Sequence, residues 1–451
     1  MVHSPYLPNT EADRRAMLAE LGLDSVEDLF RDIPEEVRFR GRLDLPPALS
    51  EPELLAHMKA LAAKNADASQ WVLFLGGGAY DHFIPSVVGH VIGRSEFYTA
   101  YTPYQAEVSQ GVLQSIYEYQ SLITRLTGMG VANASMYDGA SAMAEAALIA
   151  CAATRRKKVV VPMTVSPEYQ ETIRTYMAGQ KIEVAVAPYD GETGTADLSE
   201  LEKLVDGDTA AVLLQHPNYF GCLEDPDEVS RIAHGAGALF VVAVDPISLG
   251  VLKPPGEYGA DIAVGEGQPL GNPLSFGGPH LGFFAATEKL IRRMPGRIAG
   301  VTVDKDGDRG FVLTFQTREQ HIRREKATSN ICTNEALNAL AAAVYLTVMG
   351  REGLVEVAKL CLHKARYARE RLSALPGFRT PFRAPFFKEF VVSGPRPLED
   401  LNRSLAQRRM LVGPDLGRHY PELEGSFLVA VTEKRTRAEI DGLADGLGGL
   451  A

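Results

Sequence analysis

Two polar features of the chain stand where α/β proteins commonly bind ligands. Tyr137–Glu145 combines an Asp-Gly turn with Ser141 and several alanines, which predicts a helix whose free N-terminal N–H groups suit an anion such as phosphate. Asp245 directly follows the most hydrophobic strand candidate, Ala238–Val244, at the carboxyl edge where such sheets bind ligands. Both features have a plain structural alternative, because capped helices are common and a strand-end Asp often caps the next turn.

A third feature is an absence. Enzymes that use pyridoxal phosphate as an electron sink hold its ring nitrogen with such an Asp, and they bind its aldehyde through a lysine. In this architecture the lysine lies in the loop after the next strand, which here is Ala260–Val264. Loop 265–272 contains no lysine; the uncharged amide of Gln268 is there, and Lys253 and Lys289 lie outside the loop. The sequence therefore predicts a pyridoxal-enzyme sheet without its covalent anchor.

The elements that would position these residues alternate between short apolar runs and helical stretches. Helical segments such as Pro167–Gly179 separate most of the runs, and this alternation predicts a doubly wound α/β domain. The runs are rich in β-branched residues, as expected for buried strands of a mostly parallel sheet. The strand candidates are Lys158–Val161, Glu183–Ala187, Ala210–Gln215, Ala238–Val244, Asp261–Val264 and Leu281–Ala285.

Three regions are predicted along the chain. Residues 1–105 form an N-terminal helical arm and loop region, and residues 106–333 form the large α/β domain. Residues 334–451 form a small C-terminal α+β domain, which begins with two helices, Asn334–Met349 and Leu354–Leu375. No repeat of 20–50 residues is evident.

Composition excludes several classes of function. The chain has 451 residues and a net charge of -11, from 46 Lys plus Arg against 57 Asp plus Glu. This balance argues against a nucleic-acid or anionic-membrane partner, and no apolar run approaches the ~20 residues of a membrane span. The four cysteines form no CxxC pair, so no metal site is predicted. Without a signal pattern, the expected location is cytoplasmic.

Five motifs are specific enough to indicate a family: Tyr101–Gly111, Ala132–Ser141, Val264–Gln268, Leu274–Pro279 and Gln316–Thr333. They resemble glycine decarboxylase, the P-protein of the glycine cleavage system, and they match the N-terminal half of its long single-chain form. In that family, the C-terminal half or a separate second subunit has the lysine, and Gln268 corresponds to its position.

The resemblance implies a fold, an activity and partners. The fold is that of pyridoxal-phosphate-dependent transferases of the aspartate aminotransferase type. The chain is expected to be the lysine-free subunit, and pyridoxal phosphate is expected on a lysine-bearing subunit 2, in an α2β2 assembly. Together they would decarboxylate glycine and transfer the aminomethyl group to the lipoyl arm of the H protein.

Five residues form a candidate pocket wall. Tyr98, Tyr101 and Tyr104 recur every three residues beside Pro103. They are either packing aromatics under a loop or, because subunits of this fold lend residues to a neighbour's pocket, part of the partner's active site. Gln105 and Glu107 would be the polar members of that wall.

Other positions are expected to be remnants of an ancestral cofactor site: Ser141, His216, Asp245 and Gln268. The turn at Gly277 and Gly278 is expected to reach toward the partner's phosphate. Two rival functions remain open. One is a self-sufficient pyridoxal-phosphate aminotransferase or decarboxylase with an unexpected lysine. The other is a structural or regulatory paralogue that only stabilises its partner.

Overall fold

The computed structural model describes residues 6–327 and 329–449. The chain divides between Asn65 and Ala66 into two units. Within the described residues, no helix is both long enough and apolar enough to cross a bilayer.

The first unit is helical, as the sequence predicts, with α1 (Glu11–Leu21) and α2 (Glu51–Ala62). Both helices begin at a capping box, in which the cap hydroxyl and a carboxylate three residues later satisfy each other's backbone N–H groups. At α1 the Thr10 N–H donates to Asp13 over 2.7 Å, and at α2 the Ser50 N–H donates to Glu53 over 2.9 Å. Neither helix contains a buried residue, so local capping rather than a core specifies them.

The second unit contains every strand among the described residues, and each side of its main sheet is covered by helices. The strands are β1 (Val72–Leu75), β2 (Val131–Ala132), β3 (Lys158–Pro162), β4 (Glu183–Ala187), β5 (Thr209–His216), β6 (Leu239–Val244), β7 (Ile262–Glu266), β8 (Gly282–Ala286), β9 (Ile298–Val303), β10 (Arg309–Thr314), β11 (Glu389–Ser393), β12 (Met410–Gly413) and β13 (Ser426–Ala430).

The helices of this unit range from single turns to one long interrupted helix. They are α3 (Ser86–Ile92), α4 (Ser95–Tyr98), α5 (Gln110–Thr127), α6 (Gly139–Thr154), α7 (Pro167–Gln180), α8 (Leu198–Leu204), α9 (Pro226–Gly235), α10 (Gln320–Arg323), α11 (Ala336–Ser373), α12 (Leu398–Ala406) and α13 (Arg437–Gly448).

The main sheet has seven strands in the order β2-β8-β7-β6-β5-β3-β4. Strands β4, β3, β5, β6 and β7 are parallel, and β8 runs antiparallel to β7 and β2. All six strand candidates are confirmed, with ends displaced by at most two residues. The mostly parallel α/β architecture predicted from the sequence is therefore confirmed.

Both faces of the sheet are buried. Val160 and Val242 belong to the core on one face, while Val159 and Val241 belong to the core on the other. Alternate residues of a strand point to opposite faces, so a strand covered on both faces must be apolar throughout. This is why the strands appear in the sequence as unbroken apolar runs.

The C-terminal region pairs with a strand from far upstream. Strands β11 and β13 are antiparallel, while β12 pairs in parallel with β1, whose Phe74 is fully buried in the C-terminal core. Two short helices, α3 and α4, lie in the segment that the sequence predicts as loop. The two helices predicted at Asn334–Met349 and Leu354–Leu375 correspond to α11, which is interrupted at Gly350, where φ is +58°. The domain boundaries at residues 105 and 333 remain predictions.

Candidate functional site

The carboxyl ends of β5, β6 and β7 bring polar side chains together. These three strands are parallel neighbours, so Gln215, Asp245 and Glu266 meet at one edge of the sheet. They line a cavity of about 40 Å³, together with Tyr80 and Lys388 from outside the sheet. The position is the one at which open α/β sheets bind ligands.

Asp245 has an ionic partner within its own chain. Its Oδ2 accepts from the Lys388 ammonium over 2.6 Å, and both side chains are largely buried. Its Oδ1 accepts from the backbone N–H of Ile247 over 2.9 Å. The carboxylate therefore both caps the following turn and faces the cavity, as the two interpretations of the sequence separately predict.

Lys388 makes further contacts that fix its ammonium. The nitrogen lies 2.9 Å from His82 Nε2 and 3.7 Å from the centre of the Tyr80 ring, where a cation–π interaction is favourable. Burial and the adjacent ammonium lower the pKa of His82, so its ring is neutral near pH 7. Its Nδ1 lies 2.6 Å from a Glu433 carboxylate oxygen; a proton on Nδ1 lets this nitrogen donate while Nε2 accepts.

His82, Cys361 and Glu433 also bring ligand atoms within 4.8 Å of one another. The two imidazole nitrogens, however, are already engaged by Glu433 and Lys388. A metal cation beside the ammonium would also be repelled. These contacts favour an internal hydrogen-bond network at this group.

Gln268 does not line the cavity at Asp245. It is 1% exposed and uses its whole amide. Its Oε1 accepts from the Tyr80 N–H over 2.9 Å. Its Nε2 donates to the carbonyl oxygens of Tyr80 and Asn272, over 3.1 and 2.7 Å. An ammonium has no acceptor and could not replace this amide without losing the Tyr80 N–H bond.

The N-terminus of α6 is occupied by carboxyl groups of the chain. Asp138 accepts from the Ser141 N–H over 2.7 Å, and Glu266 accepts from the Gly139 N–H over 3.1 Å. Burial raises the pKa of Glu266 to about 8, although three backbone N–H groups favour its ionised form. The Tyr169 hydroxyl lies so close that a Cβ at Gly139 would approach it to 1.9 Å. The place suited to an external anion is thus filled.

The site does not fit pyridoxal phosphate. Its cavity of about 40 Å³ is far smaller than the ~300 Å³ at the lower end for ligand pockets. The carboxylate for a ring nitrogen is paired with Lys388, the amine for the aldehyde is replaced by Gln268, and the anion position is covered by Glu266 and Tyr169. The groups at the positions of the ring nitrogen, the aldehyde and the phosphate therefore already have partners within the chain.

His216 does not join this cavity. It precedes Pro217 on β5, and it accepts the Glu224 N–H at Nδ1 over 3.1 Å. Burial lowers its pKa to about 4, so the ring is neutral and packs edge-on to Tyr258. The neighbouring Gln215, which the sequence did not single out, lines the cavity instead.

Residues 98–107, called the tyrosine segment below, are largely exposed, in contrast to the buried residues around Asp245. Tyr98 and Tyr101 are 68% and 79% exposed and line a second cavity, of about 220 Å³. Tyr104 is also exposed, although its hydroxyl accepts from Arg297 over 3.3 Å. Gln105 and Glu107 are exposed as well.

Arg297 forms part of the floor of this second cavity. It is 4% exposed, and its guanidinium also bonds Asn334 over 3.3 Å. Its Nε has no hydrogen-bond partner among the described residues. No local spacing links Arg297 to the tyrosines, because it lies 193 positions after Tyr104.

The glycine turn after β7 projects an apolar tip. Phe276 is 79% exposed, and Gly277 and Gly278 have φ of +114° and +131°, a region that favours glycine. A side chain at Gly277 would meet open space. Backbone conformation rather than crowding therefore accounts for this glycine.

Comparison with known proteins identifies the family. The chain matches the family described as "Glycine cleavage system P-protein" over residues 4–447. The chain belongs to the P-protein family. A relative in Carboxydothermus hydrogenoformans, described as "Probable glycine dehydrogenase (decarboxylating) subunit 1", is 60% identical over 444 residues, covering 98% of this chain and 99% of the relative.

Solved structures agree with this assignment. A P-protein described as glycine decarboxylase in inhibitor-bound form superposes with a TM-score of 0.90 at 45% identity, covering 99% of this chain and all of that one. A sphingosine-1-phosphate lyase from Burkholderia pseudomallei superposes with a TM-score of 0.66 at 16% identity, covering 92% and 94% of the two chains. The second likeness shows the fold alone. The pyridoxal-enzyme fold class predicted from the sequence is confirmed.

Sequence reasoning about this P-protein missed the residues that fill the pocket. Lys388 lies 306 residues from His82, so no local motif joins them. One signal was present: Phe386-Phe387-Lys388-Glu389-Phe390 places two charges inside an apolar run. Charged residues are rarely fully buried unless they are paired, and such a run indicates that both have partners in the core.

Proposed function

We propose that this P-protein chain is the lysine-free subunit of a two-subunit glycine decarboxylase. Its lysine-bearing partner holds pyridoxal phosphate, which supplies the electron sink for loss of CO2 from glycine. The aminomethyl group then passes to the lipoyl arm of the H protein. The assembly contains two copies of each subunit, as symmetric oligomers commonly do.

The state of the pocket carries this proposal. Gln268 is locked by three hydrogen bonds, and Asp245 is paired with Lys388. A chain whose sheet has the ligand-binding edge but no room or free partner for the cofactor supports a role beside a second subunit. The description "subunit 1" in the relative from Carboxydothermus supports the same arrangement.

The tyrosine segment is the part of this chain that completes the partner's site. Tyr98 and Tyr101 expose phenol groups beside the second cavity, and Tyr104, Gln105 and Glu107 continue the surface. Large aromatic side chains are common at protein interfaces because they combine apolar area with a polar group. In this arrangement, the turn at Gly277 and Gly278 extends toward the partner's phosphate.

The arm at residues 6–65 supports the need for a partner. Leu54, Met58 and Leu61 follow the spacing of one helix face, yet each is at least 41% exposed. Seventeen large apolar side chains of this arm are exposed, and exposed apolar patches commonly mark protein–protein interaction sites. The lysine-bearing subunit is the partner proposed to cover them.

A reconstitution experiment tests the function. The chain, the lysine-bearing partner and their mixture are each incubated with pyridoxal phosphate, glycine, labelled bicarbonate and lipoylated H protein. We expect glycine–CO2 exchange only in the mixture. Exchange by this chain alone would support the self-sufficient enzyme instead.

Substitutions in α2 test the arm. Leu54→Asp places a carboxylate on the apolar face, whereas Ala56→Asp places the same group about 200° around the helix. We expect Leu54→Asp to weaken association with the lysine-bearing partner at least tenfold in a titration, and Ala56→Asp to leave it within about twofold. Equal effects would remove the arm from the interface, and loss of self-association alone would assign the surface to a second copy of this chain.

The structural paralogue makes a different prediction. If the chain only stabilised its partner, substitutions in the tyrosine segment would reduce turnover solely by dissociating the complex. Measuring exchange at saturating chain concentration separates the two cases. The proposed function requires turnover to fall while the complex remains assembled.

A further inference from the structure

We propose that the Lys388 ammonium is an internal substitute for the cofactor's ring nitrogen, and that it closes the pocket of this subunit to pyridoxal compounds. This inference deepens the proposed function, because it gives a physical reason for placing the cofactor on the partner. It also assigns a role to a residue outside the predicted cofactor loop.

The chemistry of the two cations is alike. A protonated pyridine nitrogen presents one N–H donor with positive charge to an aspartate, and Lys388 presents the same combination to Asp245 Oδ2 over 2.6 Å. Charge-assisted hydrogen bonds of this kind are the strong ones. Asp245 is therefore satisfied without any ligand.

Two neighbours prevent Lys388 from swinging aside. Its nitrogen is held by His82 Nε2 and lies over the Tyr80 ring, and the residue is 2% exposed. A cofactor that took Asp245 would leave this ammonium buried without its counter-ion, which is strongly unfavourable. The contacts with Asp245, His82 and Tyr80 therefore all oppose displacement of Lys388 by a ligand.

Tyr80 links this cation to the missing anchor. Its ring contacts Lys388, while its backbone N–H and carbonyl oxygen bond Gln268. Its hydroxyl donates to Glu389 over 2.9 Å. Gln268 and Lys388 therefore both contact the same residue, Tyr80. Restoring an amine at position 268 alone will not restore binding of the aldehyde.

Four forms of the isolated full-length chain test this inference: Gln268→Lys, Gln268→Lys/Lys388→Ala, the control Gln268→Lys/Lys158→Ala, and wild type. Lys158 is a matched control, because its largely buried side chain also pairs with an aspartate, Asp206, over 2.8 Å. It lies at the amino end of β3 and lines neither the cavity at Asp245 nor the one beside Gln268. The probe is pyridoxal, which has no phosphate and so does not require the position covered by Glu266. Condensation of the new amine with the aldehyde forms a C=N bond and releases water, and borohydride then reduces that bond for peptide mapping.

Labelling at position 268 is compared with labelling at Lys305, whose side chain is 88% exposed. We expect the ratio to rise at least tenfold in Gln268→Lys/Lys388→Ala over both Gln268→Lys and the Lys158 control. Similar ratios in the three variants would overturn the inference. Labelling of Lys388 in wild type at the level of Lys305 would also overturn it and would identify an unexpected reactive lysine.

A measurement on the wild-type chain keeps the inference testable if the double variant does not fold. Reductive methylation with formaldehyde and cyanoborohydride modifies amines that the reagents can reach, and Lys305 is reached because its side chain is 88% exposed, although it pairs with Asp306. We expect Lys388 to be methylated at least tenfold more slowly than Lys305 in the native chain and equally fast in urea. Equal methylation rates of Lys388 and Lys305 in the native chain would contradict the proposal that Lys388 closes the pocket. Neither experiment contains glycine or the partner, so either can fail independently of the reconstitution assay.

Discussion

The pocket at Asp245 and the tyrosine segment differ in where their polar groups find partners. In the pocket, Asp245 pairs with Lys388, and Tyr80 contacts both Lys388 and the neighbouring Gln268. In the tyrosine segment, Tyr98 and Tyr101 expose most of their surface. Polar groups that already have partners within the chain are less available to a ligand than groups exposed at a surface. In the proposed function, this subunit therefore contributes through its surface rather than through its pocket.

The largest effect is expected from removing one partner of the ion pair between Asp245 and Lys388 in the pocket. Asp245→Ala leaves the Lys388 ammonium buried without its carboxylate, and we expect a loss of about 3–5 kcal/mol in the free energy of unfolding. The control, Asp245→Leu/Lys388→Met, removes both charges and should recover most of that loss. Urea denaturation of the full chain measures both. A change below about 1 kcal/mol in Asp245→Ala would show that the pair does not stabilise the pocket.

The raised pKa of Glu266 predicts how the stability of the pocket depends on pH. Burial raises its pKa from 4.5 to about 8, so the folded chain binds a proton that the unfolded chain has released between these values. The contribution of Glu266 to stability must therefore fall as pH rises from about 5 to 8 and then level off. We expect the free energy of unfolding of wild type to fall by roughly 2–4 kcal/mol more than that of Glu266→Gln between pH 5 and 9. Parallel pH profiles in urea titrations would contradict the shifted pKa.

Tyr101 tests the role of the exposed tyrosine segment. Tyr101→Ala removes an exposed ring, so we expect the stability of the isolated chain to change by no more than about 0.5 kcal/mol. We expect glycine–CO2 exchange by the assembled complex to fall about tenfold or more, which corresponds to at least ~1.4 kcal/mol in the barrier. Tyr101→Phe separates the hydroxyl from the ring. Unchanged exchange in Tyr101→Ala would leave this side chain as an ordinary surface residue.

Tyr104 should show the smallest effect. Its hydroxyl accepts one hydrogen bond from Arg297 over 3.3 Å, a long contact whose loss costs about 0.5–1 kcal/mol at most. We therefore expect Tyr104→Phe to lower exchange only a few-fold, with KM more affected than kcat if the hydroxyl positions the pocket wall. A rate equal to that of wild type would remove Tyr104 from the proposed wall.

The elements that position the site were predictable because each depends on local sequence. Strand β6 is apolar over its whole length because both faces are buried, and α6 begins at Gly139 because Asp138 caps its N-terminus. The absence of lysine from loop 265–272 was equally visible.

The partners of the site residues were not predictable in the same way. Gln268 bonds Tyr80 across 188 residues, and Lys388 reaches His82 across 306. Such contacts depend on tertiary packing, which spacing along the chain does not encode. His216 illustrates the same limit, because a strand-end histidine was expected near the pocket and instead bonds the Glu224 N–H.

The location of the cofactor tests the central claim most directly. The assembled complex, loaded with pyridoxal phosphate, is reduced with borohydride and digested, and the labelled peptides are identified by mass spectrometry. We expect all stoichiometric label on a lysine of the partner subunit and none on this chain. Stoichiometric label on any lysine of this chain, with Lys388 the nearest to Asp245, would contradict the proposal that this subunit works without its own cofactor.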